Sequence, residues 1–190
     1  MRVSNWKNGW LLVLMLIPAA VLGSEKPCPT VASTADSTTW NFPAEASRLL
    51  SDVRLRVYDV DRQAEGQSRL ASSEFDQLTW QYFADHLAPI TNDVNAMGRD
   101  LCRLQQIRQA ALPWQQREID RITPMLKDLA GRTEKAIGLL QTHELSFWAT
   151  NFPKDMAVIR TDADQLHNSV VSELNYAKAE SPTNPTSAGY

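Results

Sequence analysis

The chain has 190 residues, 22 acidic and 19 basic side chains, and a formal charge of −3. A mildly acidic chain of mixed signs has no electrostatic case for binding nucleic acid or an anionic lipid surface. Seven glycines and two cysteines leave little material for loop-built catalytic sites. There is no Gly-X-Ser-X-Gly, no phosphate-binding glycine loop, no His-Glu-X-X-His and no Cys-X-X-Cys-His.

The opening stretch, "MRVSNWKNGWLLVLMLIPAAVLGSEK", has a basic start (Arg2, Lys7) and an apolar run from about Trp10 to Leu22. Val21 and Gly23 then sit at the −3 and −1 positions of a cleavage site after Gly23. This layout predicts a secretory signal peptide over 1–23 and places the mature protein outside the cytoplasm, secreted or periplasmic. The apolar run falls short of the ~20 residues that a spanning helix needs, so no membrane insertion is expected after cleavage. Removing the signal takes away two basic residues and no acidic one, which makes the remainder more acidic. Residues 24–40, small and polar without periodicity, read as a flexible tether.

Cys28 stands in that tether and Cys102 in the helical stretch "MGRDLCRLQQI". An even pair of cysteines in an exported chain is read first as a disulfide. A catalytic thiol would want a histidine partner or an electropositive setting, and neither cysteine has a histidine nearby in sequence. The Cys28–Cys102 loop of about 75 residues would contribute ~3–4 kcal/mol in the chain-entropy description.

Four runs with helical spacing follow. The first opens at "NFPAEAS", with Asn41 or Phe42 at the boundary and Pro43 in the first turn. Ala46, Leu50, Val53, Val57, Val60 and Ala64 recur in steps of four and three, a seam along one face. Gly66 is expected to stop this helix. The second run is expected to open at Ser73 as N-cap, ahead of Glu74 and Asp76. Its seam is Phe83, Leu87, Ile90, Val94, Met97, Leu101 and Leu104, and it keeps phase through Pro89.

A corner is expected at Leu112–Pro113, because continuing the second seam lands on Arg108, Gln115 and Glu118. The apolar set restarts at Ile119 and passes through Ile122, Leu126, Leu129 and Ala136 to Leu140, with a bend at Pro124. A second "NFP", at Asn151–Pro153, precedes the fourth seam of Met156, Ile159, Ala163, Leu166, Val170, Leu174 and Ala177. Residues 181–190 have the composition of a disordered tail. The fold expected over 41–180 is all-α, an antiparallel up-down-up-down four-helix bundle of long amphipathic helices with coiled-coil-like seams.

Three constellations are candidates for function. Trp80, with Phe75, Tyr82 and Phe83 nearby, and Phe147 and Trp148, with Phe152 nearby, should gather at one end of the bundle. Trp40, Phe42 and Trp114 should gather at the other. Such clusters either plug a core or present a surface to a partner or a small apolar ligand, and Trp80, Phe147 and Trp148 are the candidate surface. His86 and His167, counted from helix starts near 74 and 153, fall within roughly 3 Å of one level. That is how a bundle could hold haem or, with acids such as Asp85, Asp93, Asp162 and Asp164, a divalent metal. No glutamate stands three residues before a histidine, as the Glu-X-X-His motif of di-iron bundles would require. His143, at the end of the third run, suits the helix dipole. Gly131 and Gly138 share a face away from the third seam; a close neighbour such as the tether or another chain would account for them, but simple tolerance of glycine is the preferred reading.

The function expected is therefore binding or scaffolding without catalysis. The partner would be another envelope or secreted protein, or a second copy. A cofactor-holding bundle built on His86 and His167 is the alternative.

Overall fold

Asparagine and proline set the start of the first helix. Asn41 Oδ1 accepts from the Ala44 amide at 3.0 Å, satisfying a donor that the first helical turn leaves unpaired. The helix, α1, spans Phe42–Ser73. The computed structural model describes residues 40–73, 79–142 and 150–180, and among these there are four helices packed against one another and no strand. The remaining three are α2 (Trp80–Ile107), α3 (Pro113–Thr142) and α4 (Phe152–Glu180). The proposed signal, the tether up to Thr39 and the tail lie outside the described residues.

Two expected boundaries are corrected. α1 does not stop at Gly66, and Ser73 closes α1 where it was expected to open α2. The buried face continues past the glycine through Gln67 and Ala71. Burial of those turns outweighs a glycine cost of roughly 0.5–1 kcal/mol. The cap of α2 is Thr79, whose Oγ1 accepts from the Tyr82 amide at 3.3 Å. Glu74 and Asp76 lie outside the described residues.

The corner between α2 and α3 falls where the apolar phase breaks. After Ile107 the chain makes one 3-10 turn, Arg108–Ala110, and α3 starts at Pro113. Proline suits a first helical position because its missing N–H would have had no partner there. The Gln115 side chain reaches back to accept from the Leu112 amide at 2.8 Å, the returning half of a capping box. Arg108 clamps the turn to α3 through Asp120, with Nε–Oδ1 at 2.6 Å. Pro89 lies within α2 and Pro124 within α3. Both are exposed, so the lost backbone donors fall on the solvent side.

Each seam read from the sequence is the buried face of its helix. All the named positions on α1, α2 and α3 are buried, as are Met156 through Val170 on α4, while Leu174 is partly buried. They form one core. The side chains of Ala177 and beyond lie outside the described residues.

Ion pairs line three helix–helix seams. On α1 and α2, Glu45 meets Arg103 at 2.7 Å, and Arg56 meets Asp93 at 3.4 Å and Asp100 at 3.6 Å. On α3 and α4, Lys135 meets Asp155 at 2.8 Å, Arg132 meets Asp162 at 2.5 Å, and Arg121 meets Glu173 at 2.5 Å. On α1 and α4, Arg160 reaches Glu65 at 3.3 Å and Asp61 at 3.8 Å.

Candidate functional site

The aromatic end is built by the first turns of α2 and α4. Phe83 and Phe152 are fully buried, with ring centroids 5.3 Å apart in an edge-on arrangement, a geometry favoured by the ring quadrupoles. Phe152 owes its position to the "NFP" start: Asn151 O accepts from the Asp155 amide at 2.9 Å, and Thr150 Oγ1 accepts from the Phe152 amide at 3.3 Å. Tyr82 packs edge-on against Phe83 at 5.7 Å. Trp80 and Tyr82 are partly buried against the core. The Phe83–Phe152 pair thus closes the core, and Trp80 stands at its margin. Phe75, Phe147 and Trp148 lie outside the described residues.

The two histidines pack against different side chains. His86 is exposed, its Nδ1 is 2.8 Å from the Tyr82 carbonyl oxygen, and its ring packs on Tyr82 at 4.1 Å. His167 packs instead on Tyr58 of α1 at 5.6 Å. Arg56, two residues before Tyr58, pairs with Asp93 and Asp100 of α2. His86 precedes Asp93 by about two helical turns, roughly 10 Å along the axis. The expected coincidence of level came from starting α2 near residue 74, and the start at Trp80 removes it. Asp93 and Asp162 are held in ion pairs with Arg56 and Arg132, while Asp85 is exposed. Among the described residues no group of three His, Cys, Asp or Glu side chains is placed to hold a metal ion.

At the start of α1 a second cluster forms. Half-exposed Trp40 donates its indole N–H to Glu45 Oε2 at 2.5 Å. Arg103 grips the same carboxylate through Nε at 2.7 Å and Nη2 at 3.1 Å. That fork holds the Glu45 carboxyl below its ordinary range, aided by the indole and opposed by partial burial. A surface groove of about 520 Å³ runs along Trp40, Asn41, Ala44, Glu45 and Arg48. Phe42 and Trp114 pack partly buried against the core. Cys102, half-buried beside Arg103, lies next to this cluster. Cys28 lies outside the described residues.

Gln115 and Glu118, which the sequence pattern set aside as polar breaks in the seam, are buried completely. Gln115 Nε2 donates to the Pro43 carbonyl at 2.8 Å and to Ser47 Oγ at 2.9 Å, joining α3 to the first turn of α1. Glu118 Oε1 accepts from Ser169 Oγ of α4 at 3.1 Å. Its other oxygen has no hydrogen-bond partner, and Arg121 Nη1 stands 3.7 Å away. Burial pushes the Glu118 carboxyl up; Ser169 and Arg121 pull against this, and Glu173 adds to it. The signal was present in the spacing, since Gln115, Glu118, Ile119 and Ile122 fall at i, i+3, i+4 and i+7, the positions that share one helix face.

Gly131 and Gly138 have open space around them: a side-chain carbon added at either meets nothing within 4 Å. No helix of the described residues is long and apolar enough to cross a membrane. The chain matches no protein-family model, no curated protein and no solved structure.

Proposed function

We propose that the protein is an exported helical bundle that works by binding another envelope or secreted protein, or a second copy of itself, and carries out no catalysis. The observation behind this reading is the position of Trp80. It stands only partly covered at the head of α2, beside a core that Phe83 and Phe152 already close. A large amphipathic ring that the plug does not fully use is the kind of side chain that anchors a protein interface. Phe147 and Trp148, in the connection before α4, complete the surface in this reading.

The helices run up-down-up-down and antiparallel. Supporting this, partners late in α2 meet residues early in α1 (Arg103 with Glu45), and partners late in α4 meet residues early in α3 (Glu173 with Arg121). Long amphipathic helices in this order bury a continuous stripe between them. Residues 1–23 are the cleaved signal, and the mature chain begins at Ser24. Cys28 bonds Cys102, fastening the tether against α2. The Arg103–Glu45 contact supports the bond, since it sets Cys102 beside the start of α1, where the chain coming from Cys28 enters. N-terminal sequencing that returns Met1, or two reactive thiols in the unreduced, unfolded protein, removes these two elements.

Binding is tested with a photo-crosslinking amino acid at position 80 and, as a control, at the open position 131 of the exported protein in its own cells. A discrete adduct from position 80 that is absent from position 131 is expected. No adduct from position 80, or the same adducts from both, overturns the reading.

A further inference from the structure

Glu118 is a carboxyl held out of solvent on the buried face of α3. The residue is fully buried, its neighbours along α3 are Ile119 and Ile122, and one of its oxygens lacks a hydrogen-bond partner. Three groups act on it. Ser169 of α4 donates to Oε1. Arg121, one turn along α3, stands 3.7 Å from Oε2 but is engaged at 2.5 Å with Glu173 of α4. Glu173 itself repels the ionised form. No charged group of α1 or α2 acts on it.

Two carboxylates therefore share one guanidinium, and the one with better access to it is Glu173. A proton on Glu118 removes the repulsion, leaves Arg121 and Glu173 as a balanced pair and spares the interior a charge. Loss of that proton puts an under-compensated negative charge between α3 and α4, which water or movement of α4 must relieve. We propose that Glu118 is a proton-operated latch, holding the stretch of α4 from Ser169 onward against α3 when protonated and loosening it when ionised.

The raised carboxyl fixes the sign. A folded-state value above the ordinary 4.5 gives stability that is fully present below 4.5 and lost as pH rises through the folded value. Asp61 and Asp100 are also raised by burial and add a dependence of the same sign, so the variant comparison isolates Glu118. The test is thermal unfolding of the full exported protein from pH 4.5 to 8.5, with hydrogen exchange of the amides at 169–176 read at both ends. Relative to the parent, Glu118→Gln is expected to flatten the decline and to slow the amides at pH 8. The slowing should be about tenfold for each unit by which the folded value exceeds 4.5. Glu173→Gln hands Arg121 to Glu118, so the decline should shrink and move to lower pH, an outcome that a packing role alone would not produce. The proposal is overturned if Glu118→Gln keeps the parent's pH dependence, or if Glu173→Gln leaves the decline unmoved or enlarges it. Should Glu118→Gln fail to fold, the Glu173→Gln series decides alone.

Discussion

Replacing Gln115 by alanine removes three hydrogen bonds at once: two donated by Nε2, to Pro43 O and Ser47 Oγ, and one accepted from the Leu112 amide. Each intramolecular hydrogen bond of this kind contributes about 1 kcal/mol net. The lost amide stem adds a small packing loss, and Leu112, which is 45% exposed, can recover part of its share from water. The expected destabilisation is therefore roughly 2–4 kcal/mol, a sizeable part of the ~5–15 kcal/mol available to a domain. Guanidinium unfolding followed by circular dichroism measures it, with an unchanged slope indicating that only stability moved. Gln115→Leu keeps the volume but orphans the same partners, so it should also destabilise, by at least ~1 kcal/mol. A double-mutant cycle with Ser47→Ala should return a coupling of about 0.5–1 kcal/mol. A loss below ~0.5 kcal/mol for Gln115→Ala, or a neutral Gln115→Leu, would refute the reasoning that these bonds fasten the α2–α3 corner to α1.

Phe152→Ala empties a fully buried position against Phe83 and should cost about 3–5 kcal/mol in the same assay. Gly131→Ala and Gly138→Ala, where an added carbon meets nothing within 4 Å, should each stabilise by roughly 0.5–1 kcal/mol, seen as a raised unfolding midpoint. Glu45, held below its ordinary 4.5 by Arg103, contributes stability that is present above 4.5 and lost as pH falls through the folded value. Glu45→Gln should therefore cost about 1–2 kcal/mol at neutral pH, with the difference from the parent vanishing in acid-unfolding curves below that window. A difference that persists there would show that packing, not charge, holds the contact.

The seams were legible because burial is a matter of period: Ala46 to Ala64, Phe83 to Leu104, Ile119 to Leu140 and Met156 to Val170 all lie in the core. Helix ends were less so. Gly66 and Ser73 carry the right chemistry for a stop and a start, but local preference of that size yields to the tertiary burial of Gln67 and Ala71. The same error of register at the head of α2 made His86 and His167 look level. Reading polar side chains as outward hid Gln115 and Glu118, since a hydropathy pattern cannot tell a satisfied buried amide from a solvated one. At the aromatic end, Trp80 and its neighbours Tyr82 and Phe83 sit together at the head of α2, whereas Phe147 and Trp148 lie outside the described residues.

The proposed antiparallel order of the helices is the claim on which the rest depends, and paired nitroxide labels test it in one distance measurement. Arg48 and Gln105 are exposed positions close to the Glu45–Arg103 contact, so labels there should lie within about 20 Å of each other, the reach of two neighbouring helices and their probes. Moving the α2 label to exposed Gln81 shifts it by roughly 36 Å along the axis, and the distance should lengthen accordingly. A short distance from 48 to 81 and a long one from 48 to 105 would mean that α1 and α2 run side by side in the same direction, and the arrangement described above would be contradicted.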